Sequence, residues 1–185
     1  MNLFWSRMSR LLCVVLAALV ALALALGCGD DGELSIQDYL QDIHALMEES
    51  AANAEELGDP FAYQELATDE ELLRAIRDYC DALVPMVRRS INTLSDMEPP
   101  PEAVEPHNEL LASVGSLADA FEDLGEQAAD AQSLEELNQW TIESGWNETY
   151  ASSGEGANRA CLALQDLADE NSVALDFECI EDEGA

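Results

Sequence analysis

Lysine is absent from this chain, and its seven basic residues, all arginine, stand against 39 aspartates and glutamates. The resulting formal net charge of −32 repels DNA, RNA and anionic lipid headgroups, which excludes nucleic-acid binding. Histidine occurs only as His44 and His107. His44 has Glu48 four residues on, but such a pair offers two ligands and a metal site needs more. His107 falls on an apolar stripe, the ordinary setting of a buried imidazole. No glycine-rich loop follows a strand, and no local Ser-His-Asp signature is present. Asp169-Glu170-Asn171 lacks the glycine and the closing glutamate of a calcium loop. Carboxylates are so numerous that a glycosidase-like pair among them is uninformative. No catalytic, cofactor-binding or metal-binding residue is therefore assigned, and no cofactor is expected.

What is present begins with an address. Arg7 and Arg10 precede an unbroken apolar run over residues 11–26, and the composition then changes abruptly at Gly29-Asp30-Asp31-Gly32-Glu33. A charged start, an apolar stretch and a small-residue exit is the layout of a secretory signal peptide. The run is shorter than the roughly 20 residues that cross a bilayer. Ala25-Leu26-Gly27-Cys28 resembles the lipobox of bacterial lipoproteins. Gly27 and Cys28 match that pattern, whereas Ala25 and Leu26 depart from its usual leucine and small residue. The resemblance implies cleavage before Cys28 and lipid attachment at Cys28, with two or more acyl chains giving a stable anchor. The expected organisation is a signal peptide over 1–27, a flexible acidic tether over 28–34, and one helical domain over 35–185 with a C-terminal tail at 172–185.

Loss of 1–27 removes two arginines and no acidic residue, so the mature chain is still more acidic. Self-repulsion of this size opposes compaction unless salt screens it, and the Debye length shortens from about 10 Å at 0.1 M to about 3 Å at 1 M. High net charge with few apolar residues leads to disorder, but the apolar periodicity of this chain argues for a folded domain. Of the five cysteines, Cys13 leaves with the signal and Cys28 carries lipid. Outside the membrane a disulfide can persist, and Cys161 and Cys179 are the expected pair. Cys161 lies in a helical pattern ending near Asn171, after which Val173, Leu175 and Phe177 alternate with other residues. An extended tail rises about 3.3 Å per residue against 1.5 Å in a helix, so it can fold back and bring Cys179 beside Cys161. A loop of this size contributes about 3 kcal/mol in the chain-entropy model. Cys80 lies on an apolar stripe and reads as a buried thiol.

The rest of the chain reads as amphipathic helices. Ser35 and Asp38 open the first in capping-box fashion, and Gly58-Asp59-Pro60 ends it. A looser segment with Phe61 and Tyr63 leads to a second box at Thr68 and Glu71. The stripe Leu72, Leu73, Ile76, Tyr79, Cys80, Leu83, Val87, Ile91 and Leu94 follows, with a kink or break expected at Pro85. Pro99-Pro100-Pro101 forces an extended corner. A third helix starts between Glu102 and Pro106 and carries Val104, His107, Leu110, Leu111, Val114, Leu117, Ala118, Phe121 and Leu124. Ser133 and Glu136 cap a short fourth, Gly145 interrupts, and a fifth ends near Asn171. The start of the fifth is open, because Ser152-Ser153-Gly154-Glu155-Gly156 is poor helix material. The fold class is all-α, an up-and-down bundle of four to five helices with an extended C-terminal tail.

Pro99-Pro100-Pro101-Glu102 leading to His107 and a leucine pair, Ala160-Cys161-Leu162-Ala163-Leu164-Gln165, and the ending Leu175-Asp176-Phe177-Glu178-Cys179 together resemble a group of small helical bacterial lipoproteins with no assigned activity. The resemblance implies a helical fold and a two-cysteine C-terminal feature.

Two clusters invite a ligand. Trp140, Trp146 and Tyr150 lie close together, as inter-helix packing or as a ligand platform. Arg74, Arg77 and Arg88 fall within about 60° of one another on a helical projection, and Arg89 widens the arc to about 120°. They form either local ion pairs, Glu70 with Arg74 having the favourable order, or a candidate anion-binding strip, since arginine grips carboxylates and phosphates in bidentate fashion. The function expected from all this is a membrane-anchored, non-catalytic binding or interaction module of the cell envelope, with an envelope protein as a candidate partner and its ligand open. A cation-binding or sensor protein is the first alternative, and a hydrolase the second.

Overall fold

The structure, a computed structural model, describes residues 34–58, 68–177 and 179. The expected signal peptide, Cys28, most of the expected tether, the segment with Phe61 and Tyr63, and the end of the tail lie outside the described residues. The described residues form five helices: α1 (Ile36–Leu57), α2 (Asp69–Ser95), α3 (Val104–Asp130), α4 (Leu134–Glu143) and α5 (Trp146–Glu170), with a 3-10 turn at Pro101–Ala103 before α3. No strand occurs among the described residues, and the fold is all-α.

Local chemistry sets most boundaries. The Asp38 amide donates to Ser35 Oγ, and the Ser35 hydroxyl donates back to the Asp38 carboxylate. At α2 both halves of a capping box form, between the Glu71 amide and Thr68 Oγ1 and between the Thr68 amide and the Glu71 carboxylate. Two amides that the first turn leaves without helical partners are thereby satisfied. The same bonds hold the Glu71 carboxyl below its ordinary range. Ser133 accepts from the Glu136 amide at the start of α4. Gly58 and Gly145 take positive φ values of 71° and 74°, which end α1 and turn the chain between α4 and α5. At the end of α5, Ser172 has φ 56°, a left-handed position more often held by glycine. Its amide bonds Asp169 O and that of Val173 bonds Ala168 O, the paired bonds of a Schellman cap.

Two points left by the sequence are answered by the fold. Of the kink or break expected at Pro85, the break does not occur: α2 continues from Asp69 to Ser95. Pro85 is exposed while Leu83 and Val87 on either side are buried, so packing of the inner face carries the helix past the missing donor. The second point is the start of α5, which lies at Trp146, so that Ser152-Ser153-Gly154-Glu155-Gly156 is helical throughout. Ser153, Gly154 and Gly156 are buried, and a Cβ built on Gly156 would overlap the Ser113 side chain. Small residues let α5 approach α3 closely, and the packing gained outweighs poor intrinsic propensity.

The most extensive pairings are α2 with α3 and α3 with α5; α1 touches α2 and α5 less. Contacts along α3 run from Ala120 to Ser113 to Glu109 as those on α5 run from Trp146 to Gly156 to Arg159, so the two are antiparallel. Each expected stripe faces the core, except that Val104 is 41% exposed. Cys80 is buried against Gly125, and burial pushes its thiol up to about 12. Cys161 and Cys179 form a disulfide with Cα atoms 5.7 Å apart. The tail lies back along α5 as expected: Gln165 accepts from the Phe177 amide and donates to the Leu175 carbonyl.

Candidate functional site

A cavity of about 180 Å³ opens where α3, α4 and α5 meet. Ser116, Asp119, Ala120 and Asp123 line it from α3, Trp140 and Ser144 from the end of α4, and Trp146 and Thr149 from the start of α5. Each set recurs at three- or four-residue intervals, which places its members on one face of a helix. The reversal at Gly145 lets α4 and α5 both lean on the same stretch of α3. Several bonds hold the walls. Trp146 Nε1 donates to the Ala120 carbonyl at 2.6 Å, its amide donates to Ser144 Oγ, and Asn147 Nδ2 reaches the Thr141 carbonyl. Behind the wall Trp146 stacks on Tyr150 with ring centroids 5.1 Å apart, and both meet the Phe121 ring edge to face. Trp146 and Tyr150 are thus core and wall, while Trp140 is half-buried at the cavity.

The rim is acidic. Arg88 of α2 donates to Asp119 and to Glu122, and these two carboxylates hold its guanidinium above its ordinary range. Asp123 is exposed and has no hydrogen bond or ion pair among the described residues. The cavity therefore offers one uncompensated carboxylate, one shared carboxylate, three hydroxyls and two indoles, that of Trp146 being already stacked on Tyr150. Such a surface attracts a cation, and among the described residues no hydrogen bond joins a lining hydroxyl to a lining carboxylate. No group of three or more His, Cys, Asp or Glu side chains suited to a metal occurs among the described residues.

Three of the four arginines of α2 meet carboxylates. Arg74 pairs with Glu70 at 2.8 Å, Arg77 with Asp78 at 2.8 Å and Arg88 with α3. An anion at Arg74, Arg77 and Arg88 has to compete with these partners, and the three point into two different environments, one within α2 and one across the α2–α3 seam. Both histidines are struts. The Tyr39 hydroxyl and His107 Nδ1 share a hydrogen bond of 3.0 Å between α1 and α3, and burial lowers the His107 pKa and raises that of Tyr39. His44 donates from Nε2 to the Asp176 carbonyl at 2.9 Å and meets the Phe177 ring edge on. His44 thus latches the tail to α1.

Sequence reasoning singled out Trp140 and Trp146 but missed Ser116, Asp119 and Asp123. Their spacing is the available signal, yet it is indistinguishable from the solvated face of any acidic helix. Comparison with protein-family models, with curated proteins and with solved structures finds no match. No helix of the described residues is long and apolar enough to cross a membrane.

Proposed function

We propose that this chain is a lipid-anchored protein of the cell envelope whose helical bundle is a non-catalytic binding or interaction module. The observation that carries the reading is the use of both imidazoles as struts. Histidine is the side chain whose ordinary titration lies nearest neutrality and which most often moves protons in catalysis. Here one joins α1 to α3 and the other joins α1 to the tail. The three-helix cleft is then a place to hold a ligand rather than to transform one. The bond between Tyr39 and His107 sets the start of α1 beside the start of α3. Asp123 lies roughly 24 Å further along α3, at 1.5 Å per residue. A tether entering α1 from Cys28 would hold the cleft off the membrane.

The test is detergent-phase partition of the full chain from its native membrane, with mass spectrometry of its N-terminus. Wild type is expected in the detergent phase, starting at Cys28 with acyl mass, and Cys28→Ala either in the aqueous phase or still carrying residues 1–27. A wild-type chain without acyl mass at Cys28 overturns the anchor.

A further inference from the structure

We propose that the cleft between α3, α4 and α5 binds a small organic ammonium cation, seated between the Trp140 indole and the Asp123 carboxylate. This rests on the reading of the bundle as a binding module and names the chemistry of its ligand.

Three observations converge on that class. Trp140 is half-buried at the cavity and pairs with no ring among the described residues. An unstacked indole in a cleft attracts an alkylated cation through its ring quadrupole, most strongly where water is partly excluded. Asp123 lines the same cavity without an ion pair among the described residues, so the indole and an uncompensated carboxylate share one cleft. The third observation is the pairing of the Arg88 guanidinium with Asp119 and Glu122, which compensates the other lining carboxylate and leaves Asp123 as the one without an ion pair among the described residues.

Size and charge narrow the ligand. A volume of about 180 Å³ falls below the 300–1,000 Å³ common for drug-sized ligands, so the guest is small. A bare divalent ion takes about six or more oxygen ligands. The cleft supplies two carboxylates, one of them occupied by Arg88, and faces the rest of its guest with indole and hydroxyl surface. The net charge of −32 enriches cations of every kind around the chain; the indole and the shape of the cleft select the alkylated ones.

The experiment is a titration of the full chain in detergent, following tryptophan emission and heat, with tetramethylammonium and with choline at constant ionic strength. Saturable binding that perturbs the indole signal is expected. Asp123→Asn should weaken it about threefold to fivefold, the order of losing an exposed ion pair, and Trp140→Leu should weaken it by a similar factor through loss of the cation–π contact. Glu135→Gln removes an exposed charge outside the cleft and should leave the affinity unchanged. Asp123 and Glu135 are both exposed, so these two variants keep the fold, which circular dichroism checks. The neutral isostere 3,3-dimethylbutan-1-ol should not bind. Absence of saturation with either cation overturns the proposal. So does equal weakening by Asp123→Asn and Glu135→Gln, which marks a diffuse counter-ion atmosphere, or equal binding of the neutral isostere, which marks an apolar pocket. None of these results bears on the lipid anchor, and failure of the partition test leaves the titration intact.

Discussion

His107 is 3% exposed, and its place on the α3 stripe already suggests a buried imidazole. Its partner is not visible in the same way, because Tyr39 is 68 residues away and the bond exists only once α1 docks. Burial lowers the His107 pKa, which fixes the sign of its linkage to folding. The folded state resists a proton that the unfolded chain accepts near pH 6.5. The stability due to His107 is therefore complete above about pH 6.5 and is lost as pH falls through the ordinary value towards the depressed one. Denaturant midpoints of wild type and His107→Gln should converge between pH 7.5 and pH 5.5. A gap that is constant or widens on acidification contradicts this. The comparison has to be a difference, because relief of acidic self-repulsion acts on both proteins alike.

Helix α3 carries two glycines in opposite circumstances. A Cβ on Gly115 meets nothing within 4 Å, whereas one on Gly125 comes within 2.8 Å of Cys80 Cβ. Gly115→Ala should stabilise the protein by up to about 1 kcal/mol through helix propensity. Gly125→Ala should destabilise it by about 1–3 kcal/mol, because the α2–α3 contact is overpacked. Cys80→Ala should not rescue the second variant, since the obstructing atom is Cβ rather than sulfur. Thermal unfolding of the set decides the matter; equal shifts in both glycine variants sink the argument. Elements were the most legible level of this chain. Caps at Ser35, Thr68 and Ser133 and the 3.6-residue stripes marked four helix starts or faces through local chemistry. The start of α5 was illegible for the converse reason. Ser152 to Gly156 is locally unsuited to a helix and becomes one through its contact with α3. The cleft inherits that difficulty, because its carboxylates acquire meaning only when α4 and α5 close over them.

At the scale of the whole molecule, charge opposes the fold and packing sustains it. The ion pairs on the surface, such as Arg159 with Glu109 and Arg74 with Glu70, each contribute about 0–1 kcal/mol and leave most carboxylates uncompensated. Raising sodium chloride from about 0.1 M to about 1 M, which shortens the Debye length from about 10 Å to about 3 Å, should raise the unfolding temperature. An unchanged or lower value would mean that specific pairs outweigh the general repulsion. The all-α architecture and the Cys161–Cys179 pairing could be read ahead of the structure, since both follow from periodicity and reach. The latch between His44 and the tail could not, because it joins segments 132 residues apart. That latch has a consequence for synthesis. The ribosome delivers α1 well before the strap that covers it, so α1 stays without its cover until every other described helix has been made. α2 and α3 can pair as soon as both have emerged, but α1 gains its final neighbour only when Asp176 and Phe177 leave the exit tunnel. A chain ending before Asp176 would keep its central helices and present its first one unfastened, an open end for proteases that survey unfinished proteins.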